Sequence, residues 1–260
     1  MLIYLTGIWK YRYFWMSLVR MDLRTRYRRS LLGLGWSLLQ PLAMTGILCL
    51  VFAQIVKADV QDYIPHLLSG LVGWNFIVFC ATQGCQCFFQ GEAYIRQCPL
   101  PLAIYPLRTS IGALFHMTMG LIVLVVVCAV LRGVPGTAAV FSLVPTILLL
   151  FAFGWSLAVL FGAANVYFQD TQHLTEVGFQ ILFYLTPIIY RLEDLSRHRL
   201  AWLLQYNPVV AFLTLFRQPL LHGVPPTPGQ YLHAVLIAAA LAGLAAGLLG
   251  KLQKRLIFHL

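Results

Sequence analysis

Charge is scarce in this sequence. Only 10% of its 260 residues are Asp, Glu, Lys or Arg, against roughly 25% in an ordinary soluble domain. Eight acids and eighteen bases cannot cover the surface of a water-soluble chain of this size, so a soluble enzyme or DNA-binding protein scarcely fits. Acids are too few for carboxylate chemistry as well. Asp59 and Asp62 stand as a lone pair where a magnesium-dependent prenyltransferase would want several, and they read as solvating a loop. There is no Ser/His/Asp set and no metalloprotease helix motif. A phosphate-binding loop is missing too: in the stretch Gly243 to Leu252, Ala245 stands where the first loop glycine belongs and Leu252 where Ser or Thr should bind magnesium. Ala239, Gly243 and Gly247 instead fall four apart, a small-residue stripe suited to close helix packing. The six cysteines (Cys49, Cys80, Cys85, Cys87, Cys98, Cys128) have no histidine near them to complete a metal set and read as small apolar side chains.

What the chain has in abundance is apolar length. Hydrophobic residues make up 60% and the mean hydropathy is +0.80. A helix needs about 20 mainly apolar residues to cross a bilayer. Six runs qualify, from about Leu34 to Val56, Ile64 to Phe89, Ala103 to Leu131, Val140 to Phe168, Leu174 to Tyr190 and Tyr231 to Gly250. The fifth is short and holds Pro187, which removes a backbone hydrogen bond and leaves the carbonyl of Phe183 free. An even number of spans puts both ends on one side. The bases gathered there are Lys10, Arg12, Arg20, Arg24, Arg26, Arg28, Arg29, Arg96, Arg108, Lys251, Lys254 and Arg255, twelve of the eighteen, so both termini are expected in the cytoplasm. The first apolar stretch is broken at Lys10 and no small-residue cleavage pattern precedes the basic cluster, so no cleaved signal is expected.

From Trp9 to Arg29 the apolar residues Met16, Val19, Leu23 and Tyr27 recur at spacings of three and four, flanked by Arg24 and Arg28 on one side and Arg26 and Arg29 on the other. This pattern describes an amphipathic helix on the inner membrane surface, with Asp22 able to pair with Arg26 along it. The plain reading of its bases is a face that fixes topology. The sharper one makes Arg24, Arg26, Arg28 and Arg29 a docking site for an anionic lipid head group, because guanidinium binds phosphate bidentately. Few ionisable groups remain at membrane depth. His116, in the middle of the third run, reads as a hydrogen-bonded packing residue rather than part of a proton path.

Four stretches carry a resemblance to a known family. They are Asp22-Leu23-Arg24-Thr25-Arg26-Tyr27 leading to Trp36-Ser37-Leu38-Leu39-Gln40-Pro41; Glu92-Ala93-Tyr94-Ile95-Arg96 leading to Pro99-Leu100-Pro101; Asn165 to Asp170 leading into Leu182 to Tyr190; and Asn207-Pro208 followed by Arg217 and Gly223. In this order, from about Arg20 to Gly223, the chain resembles the transmembrane subunit of bacterial ABC exporters of polysaccharides, the family that moves O-antigen, teichoic acid and capsule chains across the inner membrane. One departure stands out: the family usually has arginine before the aspartate after the fourth span, and this chain has Gln169.

The resemblance implies an all-α polytopic membrane protein. It has six transmembrane helices, an N-terminal amphipathic interface helix and short re-entrant periplasmic helices before the last span. The chain then reads as one permease domain: a cytoplasmic segment 1–33, spans one to five over 34–190, a periplasmic gate segment 191–230, and span six with a basic tail over 231–260. It implies a homodimer working with two separate ABC ATPase subunits, which bind ATP and magnesium, so no cofactor is expected in this chain. The expected substrate is a polyprenyl-linked polysaccharide; membrane lipids are the other contact, and nucleic acid is not a partner.

Glu92, Tyr94 and Ile95 resemble the family's coupling helix, with Asp170 as a further contact to the ATPase; a plain membrane-surface turn is the alternative. Asn207, Pro208 and Arg217 belong to the gate, where the apolar runs Ala201 to Leu204 and Val209 to Phe216 are each too short to cross. In the fifth run Phe179, Phe183, Thr186 and Tyr190 follow at four, three and four and line one stripe. With Trp36 and Phe52 they are candidates for a channel in which sugars stack on aromatic faces, although aromatics also gather at any lipid interface. Two other functions stay open: an ABC exporter permease for a drug or lipid, and a membrane-embedded lipid or sugar transferase.

Overall fold

The long helices form where the sequence runs apolar with little charge; the side chains of Asp59 and Asn207 cap two helix starts, and Gly133 at positive φ ends one helix. The computed structural model describes residues 7–28, 30–56, 59–97, 100–133, 136–191 and 207–252. In chain order the helices are α1 (Arg12–Tyr27), α2 (Gly35–Val56), α3 (Val60–Gln86), α4 (Glu92–Gln97), α5 (Ile104–Arg132), α6 (Thr137–Tyr167), α7 (Thr171–Leu185), α8 (Pro208–Leu221) and α9 (Pro228–Leu252), with a short 3-10 turn at Phe89–Gly91. No strand occurs among the described residues.

Five helices, α2, α3, α5, α6 and α9, are long and apolar enough to cross a membrane. They coincide with the first four expected runs and the last. The fifth run differs. Its helix, α7, has 15 residues, about 22 Å at 1.5 Å per residue, short of the roughly 30 Å hydrocarbon core. It ends at Leu185 because Thr186 turns extended before Pro187. The Phe183 carbonyl, expected to be free, accepts the Thr186 N–H at 3.3 Å.

The most enclosed helix is α3. Leu67, Leu68, Ile77 and Cys80 have no exposed surface, and α2, α5, α6, α7 and α8 all lie against it. Its start is capped by Asp59, whose carboxylate accepts the Gln61 N–H at 3.3 Å. Small residues let α6 come close: a Cβ on Gly84 would sit 2.5 Å from the Ala158 Cα, and one on Gly162 would sit 2.6 Å from the Gly84 oxygen. This is the intimate glycine crossing of the fold. The stripe expected to do that work on the last helix does not face the subunit. A Cβ at Gly243 or Gly247 would meet nothing within 4 Å; α9 instead turns Ala234, Ala238, Ala245 and Leu249 inward.

A main apolar core joins α3, α5, α6, α8 and α9. A second, at the α1 end, gathers Phe88, Ile95, Leu102, Tyr105, Val159 and Leu249. Outward-facing side chains such as Ile47, Leu50, Leu148 and Leu236 are also apolar, as a lipid-facing surface requires. Cys49, Cys80, Cys85, Cys87 and Cys128 are free and buried in helix contacts; Cys98 lies outside the described residues.

Candidate functional site: a polar cleft beneath the basic helix

Helix α1 buries Leu18 and Val19 and turns its arginines outward. Met16, expected on the apolar stripe, is exposed, whereas Val19, Leu23 and Tyr27 face the protein. The pairing of Asp22 also differs from expectation. Its carboxylate reaches across to Arg108 of α5, which holds both oxygens through Nε and Nη2. A fork matching a carboxylate outcompetes a neighbour on the same exposed helix face. Arg26 is thereby released, and its guanidinium lies 5.0 Å over the Phe79 ring. At the end of α1, Tyr27 Oη and Ser37 Oγ hydrogen-bond each other, and each lies 3.0 Å from His116 Nδ1. His116 thus ties α1 and α2 to α5, with Tyr27, Phe79 and Phe115 rings around it.

Between these elements opens a cleft of about 390 Å³, lined in part by Arg26, Trp36, Gln40, Asn75, Phe79 and Thr82. On α3, Asn75, Phe79, Thr82 and Gln86 recur at four, three and four, with Gln83 beside them, so a polar stripe descends from the middle of a membrane-crossing helix to its α1 end. Asn75 and Gln83 are exposed on a helix that is otherwise the most enclosed in the fold. Amides at membrane depth are costly unless they meet water or polar partners. The cleft is therefore an amphipathic compartment, in which Gln40, Asn75, Thr82 and the guanidinium of Arg26 stand beside the rings of Tyr27, Trp36, Phe76 and Phe79. A second cavity, about 520 Å³, lies on the other side of Arg26, Phe79 and His116 and reaches Gln83, Gln90 and Arg108. The arginines expected to act together divide: Arg24 and Arg28 share a shallow groove with Arg20, Arg26 lines the cleft, and Arg29 lies outside the described residues.

The short helix α4 sits at the same end. Gly91, just before it, packs on the Tyr105 ring so tightly that a Cβ would meet Cδ1 at 2.3 Å. Tyr94 meets the edge of Phe14 at 5.4 Å. Ile95 is buried in the second core and anchors α4 within this subunit. The outward surface is Ala93, Arg96 and Gln97, with Glu92 and Arg96 paired at 2.8 Å. Asp170, at the head of α7, is exposed and caps no backbone group with its side chain.

Asn165, quoted above only within its motif, is buried and bridges two helices: Nδ2 donates to the Cys85 carbonyl at 2.9 Å, and Oδ1 accepts the Gln172 N–H at 3.2 Å. Gln86 donates to Gln172, which donates to Glu176 at 3.1 Å. This network fixes the head of α7 to α3 and α6.

The aromatic stripe of α7 does not line an opening in this subunit. Phe179 and Phe183 lie 5.8 and 5.7 Å from Trp74, and Thr186 is fully buried. Tyr190 donates to the Tyr184 carbonyl at 3.2 Å. The exposed face of α7 carries Leu174, Val177, Ile181 and Tyr184 instead. Phe52 packs with Cys49, Tyr63 and Leu67 and is likewise a core contact; Trp36 is exposed in the cleft.

At the far end Asn207 caps α8, accepting the Val209 N–H at 3.0 Å and donating to Thr186 Oγ1 at 3.0 Å, with Pro208 in the first turn. Arg217 donates to the Pro187 carbonyl at 2.7 Å and to those of His66 and Ile188 at 3.4 Å. Asp62 stands in the first turn of α3 and not in a loop; it is solvent-exposed, as expected, and pairs with Arg132 at 2.6 Å. The segment Ala201 to Leu204 lies outside the described residues.

A cross-membrane helical bundle of this kind, with a polar cleft open beside a basic helix, has the build of a transport permease. The family model described as "ABC-2 type transporter" matches residues 13–221, and the chain belongs to that family. It is similar to the O-antigen export system permease protein RfbA of Klebsiella pneumoniae, 27% identical over 205 residues, 78% of each chain. RfbA of Myxococcus xanthus is 25% identical over 213 residues, 81% of each chain. The polysialic acid transport protein KpsM of Escherichia coli is 21% identical over 205 residues, 78% of this chain and 79% of that one.

Proposed function

We propose that this chain is the permease subunit of an ATP-driven exporter that moves a lipid-linked polysaccharide across the bacterial inner membrane. The observation that carries the reading is the stripe of Asn75, Phe79 and Thr82 along a membrane-crossing helix, open to a cleft that holds Trp36, Gln40 and Arg26. Amides and hydroxyls at that depth match sugar hydroxyls, the aromatic rings match sugar C–H faces, and Arg26 matches a phosphate joining sugar to lipid. A drug or a diacyl lipid has no use for a row of amides. The relatives whose names specify O-antigen and polysialic acid support the same cargo.

On this reading α1 lies in the cytoplasmic interface, both termini are cytoplasmic, and α7 with the residues up to Arg191 makes the remaining crossing of a six-span bundle. Helix α8 is a re-entrant element at the outer mouth. Two copies frame the conduit, with the exposed apolar faces of α2 and α7 available for the contact. Two separate ATPase subunits bind ATP and magnesium and push on α4 through Glu92, Arg96 and Gln97, and on Asp170.

The test is deletion of the gene with recovery of the polymer. Polymer retained in the cytoplasm, and restored to the surface by the wild-type chain but not by Asn75→Leu/Thr82→Val, is the expected result. Unchanged surface sugars with altered drug tolerance would overturn the cargo. Group-transfer turnover by the purified chain, without an ATPase, would favour the transferase reading instead.

A further inference from the structure

We infer that the end of the bundle opposite α1 carries an oxyanion site suited to a phosphate group. The start of α3, the ends of α5 and α8 and the start of α9 enclose a cavity of about 430 Å³ there, whose lining includes Asp62, His66, Arg132, Arg191, Arg217 and Gln218. Among the described residues of its lining, three guanidinium groups face one carboxylate. Arg132 takes that carboxylate and also donates to the Leu221 carbonyl at 2.5 Å. Arg217 spends its terminal nitrogens on neutral carbonyls, which satisfies donors but cancels no charge. Among the described residues no carboxylate pairs with Arg191 or Arg217.

Two buried polar atoms point to what is missing. Arg217 Nε has no acceptor and Gln218 Oε1 has no donor, and the two residues adjoin each other on α8 in the wall of the same cavity. Leaving both unmade is costly, and a buried cation without a counter-charge more so. Both atoms have almost no accessible surface; once the two side chains turn toward the cavity, a phosphate oxygen supplies the acceptor and the negative charge, and a phosphate O–H or a neighbouring hydroxyl supplies the donor. The cavity lies where three apolar helices begin or end, the depth of phospholipid head groups. This site does not depend on the cargo or direction of transport.

The test is equilibrium binding of inorganic phosphate to the detergent-purified full chain, with chloride holding ionic strength constant. One saturable site per chain is expected. Arg191→Gln leaves every hydrogen bond named here in place and should weaken binding by about tenfold or more, the loss of one charge-assisted contact. Asp62→Asn removes the competing carboxylate and should tighten binding severalfold. Repeating the measurement in phosphatidylcholine vesicles with and without phosphatidylglycerol separates the sources. Displacement of phosphate by phosphatidylglycerol in the wild type, absent in Arg191→Gln, identifies a lipid head group; no displacement identifies a water-borne phosphate. Either result supports the site. Absence of saturable phosphate binding by the wild-type chain, or equal binding by Arg191→Gln, overturns it.

Discussion

Arg108 of α5 grips Asp22 of α1 with two parallel donors, Nε to one carboxylate oxygen and Nη2 to the other. The guanidinium side chain is 9% exposed and the carboxylate 43%, so the pair sits at the edge of the core with its cation inside. It is the fixed point from which the basic helix is hung. Replacing Asp22 by Ala strands a nearly buried charge, at a cost of about 1–3 kcal/mol. We expect faster amide exchange over α1 with the spanning helices unaffected, and recovery in the charge-swapped Asp22→Arg/Arg108→Asp chain. Exchange over α1 that stays at the wild-type rate in Asp22→Ala would show that apolar packing alone docks the helix.

Arg217 stitches α8 to the end of α7 and to α3 through three carbonyls. Arg217→Met fills the space but removes the donor to the Pro187 and Ile188 carbonyls, while the His66 carbonyl keeps the Ser69 hydroxyl, an expected loss of about 2–4 kcal/mol. Arg217→Lys keeps the charge, yet one ammonium cannot replace the fork and should recover only part. Thermal unfolding in detergent ranks the three chains, and the order wild type, Lys, Met is the expected one.

The glycine crossing of α3 and α6 predicts a sharp asymmetry. Gly84→Val places side-chain atoms where the Ala158 backbone lies, and Gly162→Val does so against the Gly84 oxygen and Cys87. Neither backbone can yield, so both chains should fail to accumulate as folded protein. Gly243→Val and Gly247→Val meet nothing within 4 Å inside the subunit, and the monomer should fold with either. Size-exclusion yield after membrane extraction distinguishes the two classes.

The spans and their order are legible in the sequence because a lipid-crossing helix announces itself by length and apolarity alone. Partners across helices are not. Asp22 has Arg26 one turn away in the chain, and only the docking of α1 on α5 reveals Arg108. The α9 glycines follow the small-residue pattern, yet the crossing uses Gly84, Gly154 and Gly162, because a helix's spacing does not say which side meets a neighbour. Asn75 and Thr82 in the cleft, with Gln83 in the neighbouring cavity, carry a signal that could have been used: amides and a hydroxyl along one side of an apolar run. The aromatic stripe of α7 is real as a stripe, but Trp74 and Phe161 cover it.

Asn165 holds Cys85 of α3 and Gln172 of α7 with one amide. Asn165→Leu removes both bonds and leaves the Cys85 carbonyl buried without this donor, a cost of about 1–3 kcal/mol. The expected outcome is faster exchange over the first turns of α7 and weaker export, with the rest of the bundle intact. Uniform destabilisation of every helix instead would mean that Asn165 serves the global fold and not the local placement of α7.

Arg26 and its neighbours allow the cleft to be tested against simple surface charge. If the basic helix only fixes orientation, export should fall with the number of arginines reversed, whichever they are. If Arg26 receives the phosphate of a lipid-linked sugar, position decides. Arg26 lines the cleft and stacks on Phe79, whereas Arg24 and Arg28 face a separate groove with Arg20. Arg26→Glu alone should then lower surface polymer by tenfold or more, about 1.4 kcal/mol or greater, while the double change Arg24→Glu/Arg28→Glu should lower it less despite altering twice the charge. If the proposed dimer and ATPase complex forms, both variants should assemble it as the wild type does. Reduced polymer tracking the count of reversed charges, with Arg26 no worse than the others, would reject a role for the cleft in holding the substrate's phosphate.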